Sequence, residues 1–330
     1  MRVYFWGTRG SLPVSYTSES IRQKICLAIK ASRGLNLRTD EEIENFVHSG
    51  LIDKSLPFSV IGSYGSNTSC MEIDGCKEYM LCDAGTGLRD FGNFVLKSAA
   101  QKKQDKTNTF NIFISHLHWD HIQGFPFFTP AYIPGNHVHI YGFHRELEQA
   151  FASQQEYPFF PIPLRSMRAD IQFTVLEEGK EYNIAGFTVK GIKQNHPGGS
   201  YGYRFEKDGK IIVYSTDSEH KANADNDEYG FINFFKDADL LIFDAQYSLL
   251  DATYAKEDWG HSNNIMAVEL SVKAGVKHLC LYHNEPAFND ERLDEFLEET
   301  RRYLKIYAGS SPLLIDVAYD GMQVDLNKKP

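Results

Sequence analysis

The stretch SHLHWDH, residues 115–121, places three histidines and one aspartate within six positions. It follows the apolar run FNIFIS at 110–115, so the motif is expected to lie at the end of a buried strand. Neutral imidazole nitrogens with one hard carboxylate oxygen suit a borderline-soft divalent metal. In an extended or tight-turn segment these side chains can serve two adjacent metals, although a solvated polar loop is the alternative. The four predicted ligands are His116, His118, Asp120 and His121.

Further apolar runs of strand length also end at polar residues. The runs are EYMLCD at 78–83, KIIVYSTD at 210–217, DLLIFD at 239–244 and KHLCLYH at 277–283. Ligands collect at strand ends in layered α/β folds. Alone, each terminal residue is more often a capping or hydrogen-bonded group than a ligand. Beside the 115–121 motif, however, His196 in QNHPGGS, Asp217 and His283 are predicted to complete a two-metal site.

The start of the chain combines short strands with helical patterns. Residues 3–6 and 70–73 read as strands, whereas apolar spacing and a Thr39–Glu42 capping box predict helices between them, with Gly50 as a stop. Later helices are predicted to begin at Ser262 and Asn289. We therefore predict a single domain spanning 1–330, with a helical insertion at about 15–62.

The composition of the chain limits the kinds of partner that it is expected to bind. The 330 residues carry 34 basic and 44 acidic side chains, a net charge of −10, which argues against duplex DNA as the main partner. No secretory signal and no apolar run of about 18 residues is found, so a cytoplasmic protein without a membrane partner is expected. Five cysteines form no CxxC pair and predict no thiolate zinc site.

The order HxHxDH, then His, then Asp, then His resembles that of the metallo-β-lactamase superfamily. The similarity runs from FWGTRGS at the start to YHNEP near 286, apart from the insertion. It implies an α/β fold, the αββα four-layer sandwich. It also implies two divalent metal ions, with zinc preferred and manganese or iron as alternatives. One ion would take His116, His118 and His196, the other Asp120, His121 and His283, and Asp217 would bridge them.

The segment from Asp244 to His283 resembles ribonuclease Z and related small phosphodiesterases. In that branch a GHS histidine, held by an acidic residue, faces the scissile phosphate; here the matching residues are His261 and Asp244. An imidazole oriented by a carboxylate can protonate a leaving alkoxide, although an N-capping turn is the alternative. We predict Asp120, His261 and Asp244 as catalytic residues. Asp83 matches a family aspartate that supports the metal loop or caps a turn, and His220 could face substrate phosphate or lie at the surface.

The sequence predicts a metal-dependent phosphodiesterase that uses a hydroxide held between two metals to attack a nucleotide or cyclic phosphodiester. A thioester or lactone hydrolase and a non-catalytic small-molecule carrier are the alternatives. No Gly- and Lys-rich arm like that of ribonuclease Z is found, so processing of tRNA ends is not expected. Aromatic stretches at 125–135 and 156–163 are expected to wall the pocket, stacking a base or packing on the core. A homodimer is suggested by the resemblance alone.

Overall fold

Two seven-stranded mixed sheets face each other in the computed structural model, which describes residues 1–53, 56–102, 107–221, 226, 228–248 and 259–328. The first sheet has the order β14-β1-β2-β3-β4-β5-β6. Its strands are β1 (Arg2–Gly7), β2 (Cys70–Asp74), β3 (Tyr79–Cys82), β4 (Thr109–Phe113), β5 (His137–Gly142), β6 (Asp170–Val175) and β14 (Gln323–Asp325). The pairs from β14 to β3 are antiparallel, and those from β3 to β6 are parallel.

The second sheet repeats this division, with the order β13-β12-β11-β10-β9-β8-β7. Its strands are β7 (Glu181–Ile184), β8 (Phe187–Gln194), β9 (Ser200–Lys207), β10 (Lys210–Ser215), β11 (Leu240–Asp244), β12 (His278–Tyr282) and β13 (Leu314–Val317). The pairs from β7 to β10 are antiparallel, and those from β10 to β13 are parallel. Both sheets therefore contain a block of parallel strands whose carboxyl ends can carry functional residues.

The apolar strand runs are explained by burial on both faces. In β11, Leu240 and Ile242 pack into the core between the sheets, whereas Leu241 and Phe243 pack into the core beneath the outer helices. Successive side chains of a strand point to opposite faces, so a strand covered on both sides needs a continuous apolar run. The continuous runs predicted as buried strands therefore form the two inner layers of the fold.

Helices form the outer layers. They are α1 (Ser18–Ala31), α2 (Asp40–Asp53), α3 (Phe58–Ile61), α4 (Gly87–Lys102), α5 (Trp119–Ile122), α6 (Leu147–Gln154), α7 (Gly230–Phe235), α8 (Asn264–Lys273) and α9 (Asp290–Tyr307). Apolar residues of α4 and α6 pack on the first sheet, and those of α8 and α9 pack on the second. The predicted αββα sandwich is confirmed. Among the described residues, no helix is both long and apolar enough to cross a membrane.

Helix ends match the predictions unevenly. The Thr39–Glu42 capping box is present at α2, and the Asn289 side chain caps α9. The predicted stop at Gly50 is wrong, since α2 continues to Asp53. The predicted cap at Ser262 is also wrong: Asn263 caps α8, while the Ser262 hydroxyl donates to the carbonyl of Ser218. A polar side chain at a helix start can therefore be taken by a tertiary contact, and its neighbour then becomes the cap.

The aromatic stretch at 125–135 divides between core and surface. Phe125 and Phe128 are buried beneath the first sheet, three residues apart in consecutive tight turns. Phe127 is exposed between them and contacts Phe160 edge to face. The first two rings therefore pack on the core, and the expectation that this stretch walls a pocket does not apply to them.

Gly124 allows the metal-ligand motif to approach the end of β3. A Cβ atom on Gly124 would lie 1.8 Å from the Gly85 carbonyl oxygen, so Gly124→Ala must separate two backbone segments. We expect a loss of unfolding free energy of about 3 kcal/mol, the upper part of the usual overpacking range. Thermal unfolding of Gly124→Ala is compared with that of Gly230→Ala. A Cβ atom at Gly230 meets no atom of the described residues within 4 Å, apart from its chain neighbours and its own helix backbone. Equal stability of the two variants would contradict the steric argument.

Candidate active site

The predicted site residues meet at one edge of the sandwich. They follow the carboxyl ends of β3 and β4 in the first sheet and of β8, β10, β11 and β12 in the second. The group comprises Asp83, His116, His118, Asp120, His121, His196, Asp217, Asp244, His261 and His283. Parallel strands that end at a common edge bring together residues far apart in sequence.

Three of these residues have left-handed backbone conformations one or two positions beyond their strands. The φ angles of Asp83, Asp217 and His283 are 59°, 52° and 61°. Non-glycine residues rarely adopt this region, and such outliers cluster at functional sites. The conformation turns the chain sharply at the strand end, while the side chain stays buried in the site.

Asp217 lies at the centre of the cluster. Its Oδ1 atom is 3.7 Å from Nε2 of His116 and 3.4 Å from Nε2 of His283. Its Oδ2 atom is 3.3 Å from Nε2 of His121, and Oδ1 is 3.8 Å from Nε2 of His196. One carboxylate thus has imidazoles from both parts of the cluster on its two oxygens, as a bridging ligand requires.

Among the described residues, the donor atoms form five overlapping groups that could each hold a metal ion, and two of them match the predicted ligand sets. His116, His118 and His196 make one, and Asp120, His121 and His283 make the other; within each, the donor atoms lie within 4.8 Å of one another. The buried Nε2 atom of His116 has no hydrogen-bond partner among the described residues, a costly arrangement that a metal would relieve. Nitrogen and carboxylate donors of this kind fit a divalent ion such as zinc.

The protonation of the cluster suits metal binding on one side. Burial lowers the pKa of His116, His118 and His196, which favours the neutral imidazole that a metal needs. Burial opposes the charged form of Asp120, but the adjoining His121 and His283 rings outweigh it and lower the pKa of this carboxyl. In the absence of metal, the carboxylates of Asp120, Asp217 and Asp83 raise the pKa of His121 despite its burial. Metal binding would therefore displace a proton from His121.

Asp83 supports the metal-ligand motif from below. Its Oδ2 atom accepts hydrogen bonds from Nδ1 of His121 at 2.7 Å and from the hydroxyls of Ser115 and Tyr214. Its Oδ1 atom accepts from the Ser115 backbone N–H at 2.7 Å. A carboxylate on the far nitrogen of a metal-binding histidine fixes its tautomer and ring orientation. The structure therefore favours the supporting function of Asp83.

Asp83→Asn should weaken metal binding about 10- to 100-fold, the usual effect of removing such a carboxylate. An asparagine side chain has one acceptor oxygen and no negative charge, so it cannot accept from both the Ser115 N–H and the His121 ring as the carboxylate does. Competition with a chromogenic chelator measures the affinity. Tyr214→Phe is the matched control, because it removes one donor to Asp83 and leaves the histidine contact. Unchanged affinity in Asp83→Asn would show that His121 needs no such support.

Other ligands are positioned by backbone atoms. The Ser11 N–H donates to Oδ2 of Asp120 at 2.8 Å, and Nδ1 of His196 hydrogen-bonds the Gly260 carbonyl at 2.9 Å. A Cβ atom on Gly10 would lie 2.5 Å from Nδ1 of His283, so only glycine leaves room for that ring. The sequence did not predict the contacts made by Ser115, Ser11, Gly10 and Gly260. Among them only Ser115, directly before the HxHxDH motif, gave a local signal.

His261 and Asp244 form a hydrogen-bonded pair beside the cluster. Nδ1 of His261 is 2.9 Å from Oδ2 of Asp244, which also accepts from the Ser218 N–H. The ring lies 5.0 Å from that of His283, centroid to centroid. Burial opposes protonation of His261, but the Asp244 carboxylate, helped by Asp217, raises its pKa to about 9. Positive metal ions nearby would oppose this shift.

His220 is not placed to contact a substrate. It is 6% exposed, its Nδ1 atom is 2.8 Å from the Tyr229 hydroxyl, and its Nε2 atom is 3.2 Å from the Ser218 hydroxyl. Its ring stacks on Phe243, and burial lowers its pKa to about 3. We therefore correct the expected substrate contact: His220 is a packing residue, neither phosphate-facing nor at the surface.

Comparison with known proteins agrees with this arrangement. Residues 78–284 match the family described as Beta-lactamase superfamily domain. Ribonuclease Z of Picrophilus torridus is 25% identical over 258 residues, 62% of this chain and 78% of that protein. The crystal structure of human tRNase Z, short form, aligns with a TM-score of 0.58 at 18% identity, covering 99% of both chains. The metallo-β-lactamase fold protein YhfI from Bacillus subtilis aligns with a TM-score of 0.61 at 18% identity, covering 98% of both.

The fold and the histidine–aspartate cluster define a metallo-β-lactamase fold hydrolase. This chain belongs to the β-lactamase superfamily, whose domain matches more than half of it. Its sequence relatives include ribonuclease Z enzymes, and its structural neighbours include tRNase Z. Part of the segment that suggested this branch, 249–258, lies outside the described residues.

Proposed function

We propose that this protein is a phosphodiesterase that holds two divalent metal ions and hydrolyses a nucleotide or cyclic phosphodiester. The observation that carries the proposal is the position of the His261–Asp244 pair beside the two ligand groups. The pair supplies an acid next to the metal cluster, as cleavage of a phosphodiester with a poor leaving group requires. The ribonuclease Z relatives support the same class of reaction.

Two ions would be held by His116, His118 and His196 and by Asp120, His121 and His283, with Asp217 shared. When bound, they would acidify a water molecule and stabilise negative charge at phosphorus, and zinc fits this donor set. Asp83, Ser11 and Gly260 hold the ligand side chains in place. Before substrate binds, these contacts therefore keep the metal-binding side chains in position.

His261 performs the proton transfer in this proposal. As water oxygen bonds to phosphorus and the bond to the leaving oxygen breaks, the protonated imidazole donates its proton to the leaving oxygen. Asp244 keeps the ring oriented and stabilises its charged form. A linear phosphodiester gives a phosphomonoester and an alcohol, and a cyclic one gives a single phosphomonoester that carries the new hydroxyl. The attacking water loses one proton to solvent, and the imidazole regains one from solvent.

Hydrolysis of bis-p-nitrophenyl phosphate, with metal counted on the same sample before and after chelation, tests the proposal. Two metals per chain and turnover that chelation removes are expected. Two metals with no phosphodiester turnover would contradict it and favour hydrolysis of a thioester or lactone. A purified protein that holds no metal and binds a small molecule tightly would instead favour the carrier function.

A further inference from the structure

The predicted metal ligand His196 lies on the short loop 195–199 that joins β8 to β9. The Gly199 N–H donates to the His196 carbonyl at 2.8 Å, so Pro197 and Gly198 occupy the centre of a tight turn. Proline fixes φ at about −65°, and Gly198 has a φ of 83°, the combination found in a type II turn. Gly199 is also left-handed, with a φ of 81°. Because glycine loses more conformational freedom on folding than other residues, two consecutive glycines make this loop costly to order.

The loop borders the ligand group formed by His116, His118 and His196, the first ligand group. Nε2 of His196 is 3.2 Å from Nδ1 of His118, and a Cβ atom on Gly198 would lie 3.7 Å from Nε2 of His118. The ring of His196 also lies 4.8 Å from that of His116, centroid to centroid. A movement of the loop would therefore displace His196 from the other two imidazoles of its group.

A histidine outside the cluster holds the end of this loop. Nε2 of His144 is 2.9 Å from the Gly199 carbonyl oxygen. A carbonyl oxygen only accepts hydrogen bonds, so Nε2 carries the ring proton and donates it. His144 follows β5 of the first sheet by two positions, whereas Gly199 directly precedes β9 of the second. This hydrogen bond therefore joins the two sheets at the edge where the cluster lies.

The other contacts of His144 show what a histidine adds at this position. Its Nδ1 atom is buried and has no hydrogen-bond partner among the described residues. Its ring packs edge to face on Tyr201, with the centroids 5.3 Å apart. Phenylalanine could make this ring contact without leaving a buried nitrogen unpaired, which costs free energy. The hydrogen bond to Gly199 is therefore the contact that histidine provides here and phenylalanine would not.

Tyr201 gives His144 a fixed surface to pack on. The Tyr201 N–H donates to the Ser115 carbonyl at 3.0 Å, and Ser115 immediately precedes His116. The Tyr201 hydroxyl donates to Oε1 of Glu178 at 2.9 Å. The ring of His144 thus rests on a residue that is itself bonded to the strand end carrying a metal ligand.

We propose that His144 is a positioning residue for the metal ligand His196, acting through the Gly199 carbonyl to keep the loop against the first ligand group. This inference rests on the two metal ions of the proposed function. The second ligand group has no member on this loop, since it comprises Asp120, His121 and His283. Loss of the His144 hydrogen bond should therefore weaken the binding of one ion and spare the other.

Three variants separate the hydrogen bond from the ring packing. His144→Ala removes both contacts, and His144→Phe keeps a ring against Tyr201 but has no N–H. His144→Gln has no ring, but its amide N–H₂ group is as many bonds from the backbone as Nε2 of histidine. His137→Phe, at the other end of β5, is the control for replacing a histidine by a phenylalanine.

Stepwise zinc dissociation constants, from competition of the zinc-loaded proteins with a chromogenic chelator, measure the effect. His144→Ala and His144→Phe should each weaken one of the two ions about 10-fold, the lower end of the usual effect of losing a contact that orients a metal ligand. His144→Gln should restore most of this affinity. The control should bind both ions as tightly as wild type.

Wild-type affinity for both ions in His144→Phe would overturn the inference, because ring packing would then suffice. A loss in His144→Gln as large as that in His144→Phe would also overturn it, as would equal weakening of both ions. Thermal unfolding of the metal-free variants shows whether each one folds. If His144→Ala does not fold, the comparison of His144→Phe with His144→Gln still decides.

The zinc affinities are measured without substrate, so this test is independent of hydrolysis. A wild-type protein that binds two ions, hydrolyses no phosphodiester and loses zinc affinity in His144→Phe would reject the phosphodiesterase and retain the positioning role. Phosphodiester hydrolysis by wild type, with unchanged zinc affinity in His144→Phe, would reject the positioning role alone. A wild-type protein that binds no zinc would reject both.

Discussion

Asp217→Ala is expected to remove metal from the protein and to lower phosphodiester turnover by about 1,000-fold or more, since the metals supply several kcal/mol of transition-state stabilisation. The oxygens of Asp217 lie within 4 Å of imidazoles from both ligand groups. Without it, five imidazoles would converge with no central negative charge, and both ions would bind more weakly. Emission spectroscopy for metal and hydrolysis of thymidine 5′-p-nitrophenyl phosphate measure the two effects.

Asp208→Ala is the matched control for this substitution. Asp208 also has a left-handed backbone, with φ of 51°, but it lies exposed in the turn between β9 and β10. The control therefore carries the same backbone penalty and the same loss of charge without touching the cluster. An Asp217→Ala protein that retains two metals and turns over substrate within about 10-fold of the control would exclude a bridging function for Asp217.

His261→Ala should slow cleavage of a dinucleotide about 100- to 10,000-fold, the usual contribution of a general acid. The leaving group of a dinucleotide is an alkoxide, which needs a proton, whereas p-nitrophenolate is a stable anion that leaves without one. The loss should therefore be much smaller for thymidine 5′-p-nitrophenyl phosphate. The ratio of kcat values for the two substrates separates acid catalysis from damage to the metal site.

His278→Ala is the control for this experiment. His278 lies at the start of β12 and pairs with Asp316 at 2.9 Å, the same distance as the His261–Asp244 pair, but outside the cluster. The His278→Ala substitution should leave kcat unchanged for both substrates. If His261→Ala slowed both substrates equally while metal content was unchanged, His261 would not be the acid.

The pH dependence of dinucleotide cleavage follows from the same assignment. His261 donates a proton only while it is charged, that is, below its pKa, which Asp244 raises to about 9 in the metal-free protein. Bound metal ions lower that value. Cleavage should therefore decline as pH rises through a value at or below about 9, and the p-nitrophenyl ester should not show this decline. A kcat profile for each substrate over the alkaline range checks the difference.

Much of the fold could be read from the sequence because the chemistry was local or periodic. Strands buried on both faces leave continuous apolar runs, and β11 illustrates this with Leu240 to Phe243. The HxHxDH ligands are contiguous, and the later His and Asp candidates follow apolar runs. The structure brings these residues together at one edge, as expected from their positions after apolar strand runs.

The rest depended on contacts between distant residues. The Ser11 amide that holds Asp120 lies 109 residues away and carries no side-chain signal. His220 is buried because Tyr229 and Phe243 enclose it, and neither contact follows from the sequence around it. The aromatic stretch contains three neighbouring phenylalanines that the sequence does not distinguish, Phe125, Phe127 and Phe128. Their exposure differs because the tight turns direct the first and the last into the core.

The left-handed backbone at Asp83, Asp217 and His283 also bears on how this chain could evolve. Glycine adopts this region freely, whereas a residue with a Cβ atom pays about 1 kcal/mol there, less for aspartate and asparagine, whose short polar side chains can hydrogen-bond locally. At each aspartate, one base change in the codon gives glycine. A lineage could therefore lose hydrolysis in a single mutational step while its backbone became easier to fold. Within this architecture, catalytically silent descendants are near neighbours of the active enzyme.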